Sequence, residues 1–132
     1  MDEAFYATYQ AKLKQKTVLA PNGQCLLWTG TRCRLAGGSE SQYGIIYAKC
    51  KQLGGGGLGW RSMRVHRFAY MLHVKSELSP EMHCSHLCHN SLCINVDHLI
   101  LETPFVNGNR KLCAREKKCI GHAQSPPCIF FK

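Results

Sequence analysis

Apolar side chains near the N-terminus recur with a helical period. Phe5, Tyr9 and Leu13 are spaced four residues apart, and this pattern predicts a helix over residues 2–16. Acidic residues at its start and lysines at its end suit the helix dipole. We expect the apolar stripe to pack against the core rather than to bind a partner. The sequence Pro21-Asn22-Gly23 then predicts a turn.

Short runs rich in β-branched and aromatic residues then predict an antiparallel sheet of about three strands. The strands are expected over residues 25–28, 43–49 and 60–65, and the glycine-rich stretches at 37–39 and 53–59 predict a loop and a hairpin tip. A basic β-ribbon can read the DNA major groove, and a plain solvated sheet face is the alternative. The basic residues of this region are Arg32, Arg34, Lys49, Lys51, Arg61 and Arg64.

The second half of the chain begins with another amphipathic segment. Residues 66–74 (HRFAYMLHV) predict a helix, in which we interpret His66 and His73 as structural histidines. Regular structure is expected to be short beyond this point. A strand is predicted near residues 82–87, followed by a metal-wrapped loop and a helix somewhere within residues 104–111.

The length of 132 residues fits one zinc-stapled domain, which we divide into three parts. Residues 1–20 hold the N-terminal helix, residues 25–65 a sheet expected to contact DNA, and residues 82–128 most of the cysteines and histidines. The predicted fold class is α+β, with an antiparallel sheet and short helices. Because long apolar elements are few, bound metal ions would add stability that so thin a core lacks.

The net charge indicates which class of molecule the protein binds, and the cysteine content indicates in which cellular compartment it occurs. A net charge of +9 favours nucleic acid as the partner, with ordinary solubility charge as the alternative. The sequence shows neither a signal-peptide pattern nor an apolar stretch of about 18 residues. Nine cysteines are an odd number, which fits metal-binding thiols better than a disulfide framework. We therefore expect a reducing compartment, the cytoplasm or the nucleus.

Cysteines and histidines of the C-terminal half fall into two groups with the spacing of zinc ligands. In the first group, Cys88, Cys93 and His98 follow C-x4-C-x4-H, which leaves one position of a tetrahedral site to be filled. Three upstream cysteines are available for it: Cys25, which is the first candidate, and its competitors Cys33 and Cys50.

The second group is self-contained, with the spacing C-x5-C-x2-H-x5-C. It consists of Cys113, Cys119, His122 and Cys128. Both groups are Cys₃His sets without an open coordination position, so we predict two structural Zn²⁺ sites. Buried free cysteines beside incidental histidines are the alternative. Cys84 is expected to be an inert buried thiol, and His83 and His89 to be polar residues outside the ligand sets.

One histidine of this segment is a candidate for catalysis. His86 lies two residues before a zinc ligand, and a neutral imidazole there could remove a proton from water that attacks a phosphodiester. Asn107, in the predicted helix, offers an amide oxygen suited to Mg²⁺. Arg61 or Arg64 of the sheet could bind the scissile phosphate. Together these residues are candidates for Mg²⁺-dependent phosphodiester hydrolysis, and a structural role for the histidine and the asparagine is the alternative.

The run SHLCHNSLC, followed by NVDHL, an asparagine and the second Cys/His group, resembles the His-Cys box homing endonucleases. These are a branch of the ββα-metal (HNH-like) nuclease superfamily. The resemblance is closest over residues 85–113 and extends more loosely over residues 25–128. It implies a ββα-metal fold and a DNA endonuclease with two structural Zn²⁺ ions and one catalytic Mg²⁺ ion.

The resemblance also implies roles for individual residues. His86 matches the general base, Asn107 the magnesium ligand, and either Arg61 or Arg64 the arginine at the scissile phosphate. The two zinc-ligand sets that it implies are Cys25, Cys88, Cys93 and His98, and Cys113, Cys119, His122 and Cys128.

The resemblance implies double-stranded DNA as the partner and a homodimer as the active form. In that family a C-terminal arm embraces the second subunit, whereas four residues follow Cys128 here, so a monomeric nickase is the other expectation. The alternative function is a catalytically inactive zinc-dependent module that binds nucleic acid. Such a module would show salt-sensitive binding without cleavage.

Overall fold

In the part of the chain that the structure describes, three α-helices and three short antiparallel sheets make up an α+β fold. They are seen in a computed structural model, which describes residues 3–34, 40–51, 58–122 and 125–129. The helices are α1 (Glu3–Gln15), α2 (Val65–Val74) and α3 (Pro104–Glu116). The strands are β1 (Thr17–Leu19), β2 (Leu26–Trp28), β3 (Arg32–Arg34), β4 (Glu40–Lys51), β5 (Leu58–Arg64), β6 (His83–His86) and β7 (Leu99–Glu102).

The N-terminal helix forms as predicted and covers the core. Its residues Tyr9 and Leu13 are buried, and Phe5 packs against the same cluster. The ring of Tyr9 meets that of Phe68 in α2 edge to face, with centroids 5.4 Å apart. The apolar stripe of α1 is therefore a packing surface for α2, as its spacing predicts.

The predicted three-stranded antiparallel sheet exists, but one of its strands was assigned wrongly. The sheet has the order β3-β4-β5, whereas the segment at residues 25–28 pairs with β1 instead. The turn that begins at Pro21 explains this difference, because it closes β1 and β2 into a local hairpin at little entropic cost. Strand β3, at Arg32–Arg34, pairs with β4 and is the third strand of the sheet instead of residues 25–28.

Two strands of this sheet are longer than predicted. β4 extends from Glu40 to Lys51, and β5 begins at Leu58, inside the stretch expected to form the hairpin tip. The rest of that tip, at residues 52–57, and the loop expected at 37–39 lie outside the described residues. The helix α2 follows β5 directly and begins one residue earlier than predicted.

A strand pair followed by a helix forms the C-terminal half. β6 pairs antiparallel with β7, with His83 opposite Glu102 and His86 opposite Leu99. The strand β7 was missing from the prediction, and α3 continues to Glu116, beyond its predicted end. The side chain of Thr103 caps α3 by accepting a hydrogen bond from the Val106 amide. This is the ββα arrangement that the resemblance implies.

No helix in the described part of the chain is both long enough and apolar enough to cross a membrane.

Close packing around Gly44 joins the sheet to the core. A β-carbon added there would lie 2.3 Å from Cδ1 of Trp28 and 2.7 Å from Cγ1 of Val65. Both neighbours are buried, so neither can move aside without disturbing other contacts. A β-carbon at Gly108, within α3, would meet nothing within 4 Å.

We expect Gly44→Ala to lower the free energy of unfolding by about 1–3 kcal/mol, because the added methyl group forces Trp28 and Val65 apart. Gly108→Ala is the matched control and should leave stability unchanged or raise it by up to about 1 kcal/mol, since alanine favours the helix. Urea unfolding of the two variants and the wild type measures both effects. Equal stability of the two variants would contradict the packing described here.

Candidate metal centres and active-site cavity

The first predicted ligand group comes together in the structure, and Cys25 supplies its fourth member. The ligand atoms of the group all lie within 4.8 Å of one another, and all four residues are buried. The side chains of Cys33 and Cys50, the competing candidates, lie outside the described part of the structure. The members are Cys25, Cys88, Cys93 and His98.

Backbone hydrogen bonds bring the distant parts of this cluster together. The amide oxygen of Asn22 accepts from the backbone N–H of Cys25 at 3.0 Å and so fixes the turn before β2. The edge of β2 then bonds to the loop that carries Cys93, through Ile94 N–H to Leu26 O at 2.8 Å. Cys25 and His98 are 73 positions apart in the chain, and a short β-like contact between Leu27 and Cys93 helps to bring them together.

The second predicted group also comes together and clips the C-terminal segment to α3. Its ligand atoms again lie within 4.8 Å of one another. Cys113 lies on α3. Lys117, the residue directly after this helix, has a left-handed backbone conformation, and Gly121 turns the chain again with a φ of 89°. The amide N–H of Ile129 donates to the carbonyl of Leu87, which joins this segment to the first cluster. The members are Cys113, Cys119, His122 and Cys128.

The spacing of atoms in both clusters fits tetrahedral zinc. A tetrahedral zinc ion with bonds of about 2.3 Å to sulfur and about 2.0 Å to nitrogen places the sulfur and nitrogen atoms about 3.5 Å apart. Nδ1 of His98 lies 3.5 Å from Sγ of Cys93 and 3.7 Å from Sγ of Cys25. Nε2 of His122 lies 3.5 Å from Sγ of Cys113 and of Cys128. The donor sets therefore support two zinc sites.

The electrostatics of the first cluster also favour a cation. A hydrogen bond shared between two neighbouring thiols raises the pKa of Cys88 and lowers the pKa of Cys93 to about 5. Burial raises the pKa of the Cys25 thiol. Thiolates this close repel one another, and a divalent cation would relieve that repulsion and allow all of them to ionise.

A cavity of about 490 Å³ opens beside the first cluster, between α2, β6 and α3. Three cationic side chains line it, those of Arg64, Arg67 and Lys111. Among the described lining residues there is no carboxylate. A cavity with this charge suits an anionic group such as a phosphate. The other lining residues are Tyr43, His66, Pro80, Met82, His83, Cys84, His86 and Asn107.

His86 lies at the end of β6 and lines this cavity. Its Nε2 is 3.1 Å from the carbonyl oxygen of Cys93 and must donate a proton to it, which leaves Nδ1 as the basic nitrogen. Burial lowers the pKa of His86 to about 4. The imidazole is thus neutral and oriented by the backbone of a zinc ligand, which is what a general base requires.

Asn107 lies in the first turns of α3 and lines the same cavity as His86. Its amide group is held on both sides: Oδ1 accepts from Oγ of Ser85 at 2.8 Å, and Nδ2 donates to Nδ1 of His83 at 3.0 Å. An amide oxygen keeps a second lone pair that can bind a hard cation. With no carboxylate in the described lining, such a cation would take its further ligands from water and from the oxygens of a bound phosphate.

The structure separates the two candidate arginines. Arg64 lines the cavity, and its guanidinium group lies 4.3 Å from the centre of the Tyr43 ring. Arg61 does not line the cavity, and its Nη1 is 3.3 Å from Oε1 of Glu77. The geometry therefore favours Arg64 as the group that meets a phosphate.

His66 also lines the cavity, although its place in the predicted helix indicates a structural histidine. Its ring lies 4.3 Å from the ring of His86, between centroids, and 5.7 Å from that of Tyr43. Nε2 of His66 is 3.1 Å from the carbonyl oxygen of Cys84, whereas Nδ1 has no hydrogen-bonding partner among the described residues. Burial lowers the pKa of His66 to about 3. Its position at the start of α2, two residues after Arg64, was the available signal.

The remaining candidates have simpler environments. Cys84 is a buried free thiol, and burial raises its pKa to about 12, which makes it as inert as predicted. His83 is exposed and contacts Asn107, and His89 adopts a left-handed backbone conformation with a φ of 61°. Neither histidine belongs to the two ligand clusters.

Comparison with known proteins gives one family match. Residues 58–128, more than half of the chain, match the family model described as the zinc-binding loop region of homing endonuclease. No curated protein and no solved structure matches the chain.

The matched segment begins with β5 and includes seven of the eight cysteine and histidine ligands, all except Cys25. The chain belongs to the family of proteins with a homing-endonuclease zinc-binding loop region.

Proposed function

We propose that this protein is a Mg²⁺-dependent DNA endonuclease in which His86 is the general base and Asn107 is the magnesium ligand. The family suggests a nuclease-like function. The observation that carries the proposal is the meeting of both residues in one cationic cavity next to a zinc-binding cluster.

The two zinc ions have a structural role in this proposal, because each Cys₃His set fills all four tetrahedral positions. The first set ties the turn at Cys25 to the loop after His86, and the second ties the C-terminal segment to α3. Zinc binding therefore adds to the free energy of unfolding and holds two walls of the cavity in place.

A DNA phosphate enters the cavity through its contacts with cationic side chains. Arg64 binds the scissile phosphate, and Arg67 and Lys111 add positive charge around it. The side chain of Arg67 is itself held by the carbonyl oxygens of Met82 and Ser79, each at 2.6 Å. This support keeps its charge at the cavity wall when substrate is absent.

His86 removes a proton from the attacking water as the water oxygen bonds to phosphorus and the bond to the 3′ oxygen breaks. Its Nδ1 receives the proton, because the Cys93 carbonyl occupies Nε2–H. Mg²⁺, when bound by Asn107 and phosphate oxygens, supplies charge stabilisation for the phosphate and the leaving oxygen. His66 packs against His86 and keeps its ring in one orientation.

Duplex DNA would be bound by the outward face of the β4–β5 hairpin. Tyr47 is 60% exposed and Trp60 is 65% exposed, and the strand register puts both on the face that carries Arg64. This face leads directly into the cavity, since Arg64 lies over the ring of Tyr43. A basic ribbon with exposed aromatic residues is suited to a DNA groove.

We expect Cys93→Ala to abolish zinc binding at the first cluster and to unfold much of the domain. Cys93 is a ligand of that cluster and lies in the loop that pairs with β2. Zinc content should fall from two ions per chain to one at most, and the cooperative thermal transition should be lost. Cys84→Ala is the matched control: it removes a buried thiol outside both clusters and should keep the full zinc content. An unchanged melting curve for Cys93→Ala would rule out a structural zinc there.

His86→Ala should reduce cleavage of supercoiled plasmid by about 10²–10⁴-fold at saturating Mg²⁺, the usual contribution of a general base. Its zinc content and melting temperature should stay near those of the wild type. His73→Ala, an exposed histidine of α2, is the control and should cleave normally. Full activity of His86→Ala would refute the assignment of His86 as the general base. A folded wild type that binds DNA without cleaving it would instead favour the catalytically inactive module that binds nucleic acid.

Arg64→Gln should lower the cleavage rate about 100-fold, because it removes a cation that meets the phosphate as negative charge develops. Arg61→Gln removes the same charge from the same strand, outside the cavity, and should change the rate much less. Single-turnover rates at saturating DNA separate this effect from weaker binding. A larger loss for Arg61→Gln than for Arg64→Gln would reverse the assignment.

A further inference from the structure

A buried ion pair joins strand β7 to helix α3, and neither of its members lines the cavity. Arg110 of α3 is 1% exposed, and Glu102 of β7 is 3% exposed. Nε of Arg110 donates to Oε1 of Glu102 at 2.7 Å, and Nη2 donates to Oε2 at 2.6 Å. Taking two charges out of water is costly, and apolar residues of similar volume often stabilise a fold at least as well. The stability of the fold alone therefore does not explain this pair.

The guanidinium group of Arg110 also contacts the segment that closes the second metal cluster. Nη2 donates a second hydrogen bond, at 2.7 Å, to the carbonyl oxygen of Pro126. Nη1 donates to Sγ of Cys128 at 3.6 Å, and Cys128 is a buried member of the cluster. Of the five N–H groups of an arginine, four are thus engaged, and one of them is directed at a metal ligand.

The contact with Cys128 puts a cation beside a buried and negatively charged metal site. Three thiolates and one neutral imidazole around Zn²⁺ carry more negative charge than the metal neutralises. Cys113 and Cys128 are buried, so water screens little of that charge. A charge-assisted hydrogen bond from Arg110 therefore stabilises the metal-bound form of the cluster.

The carboxylate of Glu102 sets the direction in which Arg110 donates. Its two oxygens hold Nε and Nη2 of the guanidinium group, and this two-point contact fixes the plane of the group. Nη1 is the remaining nitrogen, and it lies at Cys128. A lysine has one nitrogen on a flexible stem, so it would keep the charge without this fixed geometry. The pair with Glu102 also allows a full positive charge to lie at a site that water barely reaches.

We propose that Arg110 and Glu102 are positioning residues of the second metal cluster. Glu102 orients the guanidinium group, which donates to the Cys128 thiolate, holds the chain before it through Pro126 and offsets the negative charge of the cluster. The pair thereby raises the affinity of this cluster for zinc. The proposal concerns the metal site alone and does not depend on the nuclease activity proposed above.

The test uses the full chain with ¹¹³Cd in place of zinc, observed by nuclear magnetic resonance. Coupling to the β-protons of the cysteine ligands assigns each ¹¹³Cd signal to its cluster, and titration with EDTA gives the affinity of each cluster separately. The buried double variant Glu102→Leu/Arg110→Met removes both charges together, so it should fold without an unpaired buried charge. The matched control is Arg115→Met/Glu116→Leu, which makes the same two replacements at exposed positions of α3.

The buried double variant should shift the ¹¹³Cd signal of the second cluster and lower the affinity of that cluster by about 10–100-fold, the usual loss when a group that supports a metal ligand is removed. The first cluster is the internal reference, because the amide of Asn22 rather than Arg110 contacts its Cys25 sulfur. Its signal and affinity should stay near those of the wild type, and the exposed double variant should leave both clusters unchanged.

An unshifted signal and an unchanged affinity at the second cluster of the folded buried double variant would overturn the proposal. An equal loss of affinity at both clusters would also overturn it, because that result would indicate general instability. Arg110→Lys decides the matter if the double variant does not fold. It should shift the second ¹¹³Cd signal and lower the affinity by a smaller factor, since it keeps the charge but not the fork, and wild-type values in Arg110→Lys would refute the positioning role.

Discussion

The closure of the first Cys₃His cluster is the constraint on which the rest of the structure depends. It joins Cys25, which directly precedes β2, to the loop that carries Cys88 and Cys93. That loop lies more than 60 residues later in the chain. These segments are also linked by the short contact between β2 and the loop and by the burial of Trp28 and Ile94 in one core cluster. Zinc at this site offsets the entropy of closing so long a loop, which a small hydrophobic core does poorly.

Each wall of the cavity is held by a different cluster. The carbonyl of Cys93, a residue of the first cluster, fixes the tautomer and orientation of His86. The second cluster includes Cys113 on α3, the helix that presents Asn107. The two candidate catalytic residues therefore come from units that are held by different metal-binding clusters, and both line the same cavity. This arrangement explains how a chain with few long apolar elements can hold reacting groups in a fixed geometry.

The zinc ligands and the family could be identified from sequence because they depend on chemistry and short spacing. Thiolates and imidazoles with two to five residues between them can converge on one ion whatever the surrounding fold, so the second ligand set and three members of the first were predictable. Helix α1 was also predictable, since Phe5, Tyr9 and Leu13 lie on one face of any helix. The strand at residues 25–28 was placed in the wrong sheet, because strand pairing depends on turns and neighbours that periodicity does not encode.

The sequence by itself determined which residues can bind zinc and which histidine precedes a ligand closely enough to be oriented by it. Only the tertiary structure decided which long-range partners meet. It brought Cys25 into the first cluster, put Arg64 rather than Arg61 at the cavity, and packed His66 against His86. These choices depend on the register of β4 and β5 and on the packing of α2, which are fixed by contacts between residues far apart in the chain. Local pattern carries no information about such contacts, because their free energy arises only when the chain has folded.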